Sequence, residues 1–459
     1  MRRIRDRPIT ANRAKKTTMA FAIHDSGFDP AAHRLPPRRY AWMVFGIIFA
    51  LMVVDYVDRQ VVVSMFPHLK AQWDLSDGQL GALVSVVSIT VALGSVPLSL
   101  LADRWSRVHS IFLMALVWST ATIACAFMEQ YTHLLGARSI VGLGEAAYGS
   151  VGAALLASMF PARMRSTILG AFLAAGLIGS VLGVVLGGVI AERFGWQAGF
   201  GAVGVPGILL AIIFVFVVRD YKTVALPGEA KGERKLRAPT VVRELLRPRT
   251  AIVTCIGAGL QLVMVSTSYA WMPSYFNRYY GLAPDAAGVK TGVVVLLGGI
   301  GAIAWSVIAD RLSTRFPCAR LYVPAAAAVM TATFMCIAFA ALPPGPAQFA
   351  LILAGALMMT GSIGPVCAVV VDVVHPALRS TAASVLSLTQ NLFGLAAGPL
   401  LTGVMSDRYG LPFALSVVPL FCVLAAIVFV IAARTYESDL RNVAAGEPAY
   451  DDGLRPQAA

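Results

Sequence analysis

Asp55, Asp58 and Arg59 stand in one apolar run of the chain, and Arg138 and Glu145 stand in another. The second run reads Ala137-Arg138-Ser139-Ile140-Val141-Gly142-Leu143-Gly144-Glu145-Ala146-Ala147-Tyr148 and is otherwise apolar enough for a bilayer. An ionisable side chain at mid-membrane costs roughly 2.5–3.5 kcal/mol on insertion scales, so charges kept there point to a protein-lined, wet interior. The spacing of Arg138 and Glu145 puts them about 10 Å apart, two turns along one helix face. Burial favours the neutral form of a carboxyl group and a nearby guanidinium favours the charged form, so moving or occupying the arginine changes proton affinity. Glu145, Asp58 and Asp55 are therefore candidates for proton coupling. Arg138 and Arg59 are candidates for alternating between those carboxylates and an anionic substrate group, and Tyr148, which closes the stretch, is taken with them as substrate-facing. A static ion-pair network holding two helices together is the other reading of the same residues.

The elements that must position these groups are membrane spans. The chain has 459 residues, 58% hydrophobic and 13% charged, far from the composition of soluble domains. Windows of about twenty apolar residues recur along nearly all of it and predict twelve spans. Span 1 covers roughly Ala41 to Val63 and carries Asp55, Asp58 and Arg59 in its outer third; the stretch with Arg138 and Glu145 is the outer half of span 4, about Leu134 to Met159. The expected organisation is a polar N-terminal tail (1–40), a six-helix bundle (41–218), a basic central loop (219–250), a second six-helix bundle (251–433) and a short tail (434–459). The N-terminal tail is rich in arginine and lysine with no apolar stretch close behind, so it reads as cytoplasmic and not as a cleaved signal.

The net charge of +13 does not indicate nucleic acid, because the basic residues cluster between apolar spans and form no soluble basic face. They report topology instead. Arg104, Arg107, Arg163, Arg165, Arg311, Arg315, Arg320 and Arg379 fall in short loops on one side; only Lys70, Arg193, Arg278 and Arg408 fall on the other. The positive-inside rule then places both termini in the cytoplasm, as for a multi-pass protein of the plasma or inner membrane. In that orientation Asp58 and Arg59 lie near the depth of Arg138, and Asp55 lies nearer Glu145.

The halves also repeat each other. Arg165-Ser166-Thr167 recurs as Arg379-Ser380-Thr381, Ala102-Asp103-Arg104 as Ala309-Asp310-Arg311, and Gly188-Val189-Ile190-Ala191-Glu192-Arg193-Phe194-Gly195 as Gly403-Val404-Met405-Ser406-Asp407-Arg408-Tyr409-Gly410. Such six-plus-six repeats mark carriers, with a midplane site where the halves face each other.

On these residues the chain resembles the major facilitator superfamily, which implies an all-α polytopic membrane fold of twelve transmembrane helices in two six-helix bundles. Ala102-Asp103-Arg104-Trp105-Ser106-Arg107 is similar to the family's loop 2–3 signature, with Ser99 and Ser106 where glycines are usual. The resemblance implies that Asp103, Arg104 and Arg107 form a conformational latch at the cytoplasmic side. Asp58-Arg59, Arg138 with Gly142-Leu143-Gly144-Glu145-Ala146, and Pro376-Ala377-Leu378-Arg379-Ser380-Thr381-Ala382 look like the Spinster-like branch. Eukaryotic members of that branch move sphingolipid phosphates or lysophospholipids, and bacterial ones couple to protons through carboxylates on spans 1 and 4. That implies an amphipathic, anionic or zwitterionic substrate here. Asn391 stands where some animal members have a histidine, a departure that bears on substrate chemistry. The anion/cation symporter branch shares the style of Asp55-Tyr56-Val57-Asp58-Arg59, so small organic anions such as aromatic or sugar acids are the alternative substrates.

The remaining polar residues fill out the site. Asn391, polar in an apolar run on span 11, either faces the substrate or hydrogen-bonds a neighbouring helix; Trp271, with Tyr269 and Tyr275 on span 7, either lines the cavity or belongs to an interfacial belt. All six histidines map to tails, loops or span ends, which leaves carboxylates as the proton carriers. No paired metal-ligand spacing, phosphate loop or nucleophile beside a base is present, so no enzyme, metal or cofactor is expected. The expected partners are a small-molecule or lipid-like substrate, protons and membrane lipids, for a chain acting as a monomer.

Overall fold

The structure, a computed structural model, describes residues 36–219, 247–374 and 379–444. Residues 1–35, most of the basic central segment, Pro376-Ala377-Leu378 and the end of the C-terminal tail lie outside the described residues, as do the side chains of Asp103 and Arg104.

Among the described residues, twelve helices are long and apolar enough to cross a membrane: Arg38–Ser64, Asp77–Ala102, Arg107–Cys125, Tyr131–Met159, Ile168–Phe194, Trp196–Val217, Arg249–Tyr280, Pro284–Ser313, Ala319–Ala341, Pro346–Asp372, Thr381–Tyr409 and Leu411–Val443. Numbered spans 1 to 12 in that order, each overlaps the window that hydropathy predicts. A short helix, Phe66–Trp73, joins spans 1 and 2.

Local chemistry sets the ends. Ser76 accepts from the Gln79 amide while the Gln79 side chain accepts from the Ser76 amide, a capping box that starts span 2. Spans 5 and 6 meet at Gly195, and spans 11 and 12 at Gly410, with φ of +83° and +85°. A side chain resists that conformation, which explains why both copies of the repeat end on glycine.

Among the described residues, five spans depart from a plain helix in ways that hydropathy does not register, span 12 by breaking into Leu411–Val417 and Leu420–Ala444. Span 4 breaks into Tyr131–Glu145 and Tyr148–Met159. Its counterpart, span 10, breaks into Pro346–Met359 and Ile363–Asp372. Span 9 ends in a π-helical turn, Ile337–Ala341, and span 11 holds a π segment, Gln390–Leu395, at its middle.

Both termini of the described chain lie on one face of the bundle, here the terminal face. The halves meet where span 2 packs on span 11, span 5 on span 8 and span 1 on span 7. Ser85 donates to the Ala396 carbonyl at 2.6 Å near mid-membrane, and from there the hydrogen bonds and ion pairs joining described residues of the two halves run to the opposite face. Gly188 sits against Pro284 and Gly288 against Val184 near that same face, so closely that a Cβ at Gly288 would stand 2.8 Å from the Val184 carbonyl oxygen. The protein is sealed at the face away from its termini.

Candidate functional site

Span 4 is drawn into the first bundle by two of its glycines. A Cβ at Gly142 would lie 2.6 Å from the Val87 carbonyl oxygen of span 2, and one at Gly144 would lie 2.6 Å from the Trp118 amide of span 3. With that side of the helix closed down on spans 2 and 3, Arg138 and Glu145 come to lie beside span 1.

Helical side chains lean towards the N-terminus of their own helix, and spans 1 and 4 run in opposite directions. Arg138 therefore leans towards the sealed face and meets Asp58, its Nη1 donating at 3.3 and 3.4 Å to the two carboxylate oxygens. Arg59 leans the other way, deeper into the membrane. Its Nε lies 3.5 Å from Asp55 and its Nη2 lies 3.0 Å from Glu145, while its guanidinium sits 5.3 Å from the centre of the Tyr56 ring. The five sequence candidates thus form a pair, Arg138 with Asp58, and a triad, Arg59 with Asp55 and Glu145, of unequal character.

Arg138 and Asp58 are sealed in, 1% and 0% exposed. Asp55 and Glu145 are equally buried, but a fifth of the Arg59 side chain is exposed, alone among the five. Burial of ionised groups is tolerated only where partners satisfy them, and this set is incompletely satisfied. Neither carboxylate oxygen of Glu145 has a hydrogen bond, and Asp55 Oδ1 has none. A carboxyl held by one guanidinium and by no fixed hydrogen bond can exchange that partner for a proton without breaking anything else. Glu145 is the last residue of its helix before the break in span 4.

The candidates for substrate contact other than Arg59 are each bound to the protein itself. Arg138 does not reach open space, being bound to Asp58. Tyr148 is buried, its hydroxyl donating to the Ile48 carbonyl at 2.7 Å and its ring set edge-on to Trp118, so it braces spans 1, 3 and 4. Trp271 is also buried, its indole nitrogen donating to the Pro399 carbonyl at 3.1 Å and its ring 5.4 Å from Phe66, which makes it part of the seal between the halves. Asn391 lies half-buried in the π segment of span 11 and donates to the Ser387 carbonyl of its own helix at 2.9 Å, so it is tied to no neighbouring span. Asp103 and Arg104 have no described side chains; Arg107 is the first residue of span 3.

The seal itself centres on residues that the sequence marks only as topology. The Asp77 carboxylate accepts from Lys70 at 2.6 Å, from both Arg278 Nη atoms at 2.7 and 2.8 Å, and from the Ser406 hydroxyl at 2.5 Å. Asp407 in turn accepts from the Asp77 and Gly78 amides at 2.6 and 2.8 Å, so a residue of span 11 caps span 2. Two signals for this were present: the Ser76 cap that exposes those amides, and the place of Asp407 inside the repeated Gly403–Gly410 segment.

The profile of the Major Facilitator Superfamily matches residues 48–397. Protein spinster of Drosophila melanogaster is 25% identical over 408 residues, 84% of this chain and 66% of that protein. Protein spinster homolog 1 of Xenopus tropicalis is 24% identical over 389 residues, 81% of this chain and 74% of the frog protein. The hexuronate transporter of Bacillus subtilis is 24% identical over 371 residues, 79% of this chain and 87% of its own. In three dimensions the chain is similar to a bacterial homologue of the human lysosomal transporter Spinster, crystallised inward-facing and unoccupied. The TM-score is 0.80 at 22% identity, over 88% of this chain and 99% of that one.

Proposed function

Because the chain belongs to the Major Facilitator Superfamily and within it is similar to the Spinster proteins, we propose that it is a proton-coupled secondary transporter of an amphipathic, anionic or zwitterionic substrate. Family and fold are those of transporters and not of enzymes, and the twelve spans make it a multi-pass membrane protein. The two bundles rock about a site between them. With the termini cytoplasmic, as the loop charges argue, the conformation described is open towards the cytoplasm and sealed outside. Asp103, Arg104 and Arg107 latch the cytoplasmic side in the opposite state. A monomer in the plasma or inner membrane suffices for this cycle.

The observation that carries the reading is Arg59, exposed on one side and paired on the other with Asp55 and Glu145. An anionic substrate group that takes Arg59 from Glu145 leaves that carboxylate to bind a proton, and the return of Arg59 releases it. Arg138 and Asp58 hold spans 1 and 4 in register and do not cycle. Asn391 faces the substrate from the second bundle.

Similarity to a hexuronate transporter keeps small organic anions as the second reading. Reconstitution in liposomes with a pH gradient separates them, with lysolipids and hexuronates offered in parallel. Accumulation of lysolipid, lost in Glu145→Gln while counterflow persists, is the expected result. Gradient-driven transport undiminished in Glu145→Gln would remove that residue from coupling, and uptake of hexuronate with no competition by any amphiphile would replace the substrate class.

A further inference from the structure

Spans 5 and 11 are equivalent in the repeat, yet they pack differently on their neighbours. Along span 5, Gly176, Gly179, Gly183 and Gly187 sit directly on span 1: a Cβ would meet the Tyr56 ring at 3.0 Å from Gly176, the Val57 carbonyl at 2.7 Å from Gly183 and Val61 at 3.0 Å from Gly187. Spans 5 and 1 touch directly along that stretch, whereas at Gly170, nearer the terminal face, a Cβ would meet nothing within 4 Å. In span 11 such contact survives only towards the sealed face, where a Cβ at Gly394 or Gly398 would stand 2.6 Å from Leu262 or the Val263 carbonyl of span 7.

Between the shared Arg-Ser-Thr triplet and the shared terminal glycine, span 11 holds one residue more than span 5. That residue is absorbed as the π segment Gln390–Leu395, since a π turn accommodates one residue beyond the α-helical count. From there to the terminal face, span 11 lines the space beside span 7 with Val385, Thr389 and Phe393, the last standing where the repeat places Gly179 in span 5.

The result is a cavity of ≈ 650 Å³ bounded by spans 7, 10, 11 and 12, among them Ile252, Ile256, Val374, Val385, Phe393 and Phe421. No residue of the first six spans lines it, so it is separate from the cleft between the halves. Its only polar side-chain atoms are the Cys255 thiol and the Thr389 hydroxyl, and the latter already donates to the Val385 carbonyl at 2.9 Å. Ile256 is 50% exposed and Phe393 61%, so the groove opens sideways, at a depth where the surroundings are hydrocarbon. From Ala382 to Leu401 it follows span 11 for about 28 Å, close to the ~30 Å of a bilayer's hydrocarbon core. That length admits a full acyl chain from one leaflet.

The terminal-face mouth is basic. Arg249 precedes Ile252 by one helical turn on span 7, and Arg379 precedes Ala382 by one turn on span 11. Both are exposed, and neither has an ion-pair partner among the described residues. The nearby Asp439 of span 12 accepts from the Thr250 amide at 3.0 Å and does not pair with Arg249. Two free guanidiniums over an apolar groove between spans are complementary to one kind of molecule, a lipid with a negative phosphate and a long apolar chain.

We propose that this groove is a binding site for an anionic phospholipid of the leaflet on the terminal face, with one acyl chain between spans 7 and 11 and the phosphate held by Arg249 and Arg379. The lipid fills the space beside the π segment of span 11. The site stands apart from the transport reading, which uses the cleft and the first bundle.

The test uses the full chain, delipidated in mild detergent, with dioleoyl phosphatidylglycerol or dioleoyl phosphatidylcholine added and adducts counted by native mass spectrometry. Wild type is expected to retain one phosphatidylglycerol in preference to phosphatidylcholine by roughly 30-fold, the effect of two arginines near a membrane surface. Arg249→Gln with Arg379→Gln is expected to bind both lipids alike. Ile256→Trp, which fills the groove, is expected to lose the adduct, while Leu209→Trp on the exposed face of span 6 keeps it. Val385→Phe blocks the same groove from span 11 and replaces Ile256→Trp should that variant fail to fold. Equal retention of the two lipids by wild type, or an undiminished adduct in the folded groove-filling variant, would overturn the proposal.

Discussion

Span 1 and its counterpart span 7 occupy equivalent places in the two bundles, and both bury polar side chains inside the membrane. Span 1 buries Asp55 and Asp58, with Arg59 between them and solvent, whereas span 7 buries Thr254, Gln261, Ser266, Thr267 and Ser268. The neutral groups are largely spent on holding helices: Gln261 donates to the Met359 carbonyl at 2.8 Å, Ser266 to the Gly394 carbonyl at 3.0 Å, and Thr267 shares a hydrogen bond of 2.9 Å with Thr402. Gln348 shows the same use on span 10, donating to Tyr275 and to the Ala338 and Leu342 carbonyls at the end of span 9. The hydroxyls of Thr254, Ser268 and Ser274 have no partner, a smaller cost than an unsatisfied charge. Span 7 is therefore fixed largely by neutral bonds, whereas span 1 keeps in Arg59 a charge whose partners can change.

The most direct way to break this contrast is to strand a charge. Asp58→Asn leaves Arg138 buried without its anion and is expected to cost about 3–5 kcal/mol, read as a fall in thermal stability in detergent. The double variant Asp58→Leu with Arg138→Met is expected to recover most of that loss, since a buried pair replaced by apolar groups is often neutral. Recovery of stability without transport would show that the pair does more than hold spans 1 and 4 together.

Disrupting the seal is expected to have the next greatest effect, because the seal joins the two bundles directly. Asp77→Asn removes the charge that Arg278 and Lys70 share and is expected to weaken the closed seam by about 2 kcal/mol, roughly 30-fold in the ratio of states. Spin labels at Gln197 and Tyr279, on the sealed ends of the first and second bundles, report it as a longer distance population. An unchanged distribution would mean that the glycine seam at Gly188 and Gly288 closes the face by itself.

Within the second bundle the expected effects are smaller. Gln348→Leu takes the donor from three acceptors and is expected to cost about 1–2 kcal/mol, with coupling to the pH gradient unaltered. Altered coupling would show that the second bundle takes part in the proton cycle.

Much of this organisation is legible from residue order. Twelve apolar windows and three repeated segments suffice for the spans and for the two bundles, because the bilayer forces each backbone into helix over a fixed length. Depth puts Asp58 and Arg59 level with Arg138, and Asp55 nearer Glu145, but that spans 1 and 4 touch comes only from the packed structure. Which arginine takes which carboxylate does not follow from depth either, because it depends on the opposite lean of side chains on antiparallel helices. The break after Glu145 and the π segment at Gln390–Leu395 are equally silent, since neither alters hydropathy. Asp77 and Asp407 escape for a different reason: charges at span ends are common for topology, and only the packed structure shows that these two face each other across the bundles.

Asn391 tests the contrast at its weakest point. It is a polar residue of the second bundle that bonds only within its own helix, and the carbonyl it serves is accessible to other donors. Asn391→Ala should therefore leave stability within about 0.5 kcal/mol of wild type. If the residue faces the substrate, one lost hydrogen bond of about 1 kcal/mol raises KM about 5-fold, with the maximal rate retained because the charges of the first bundle are untouched. An unchanged KM would leave the second bundle's wall of the site wholly apolar, and recognition of the polar end of the substrate would then rest on Arg59 alone.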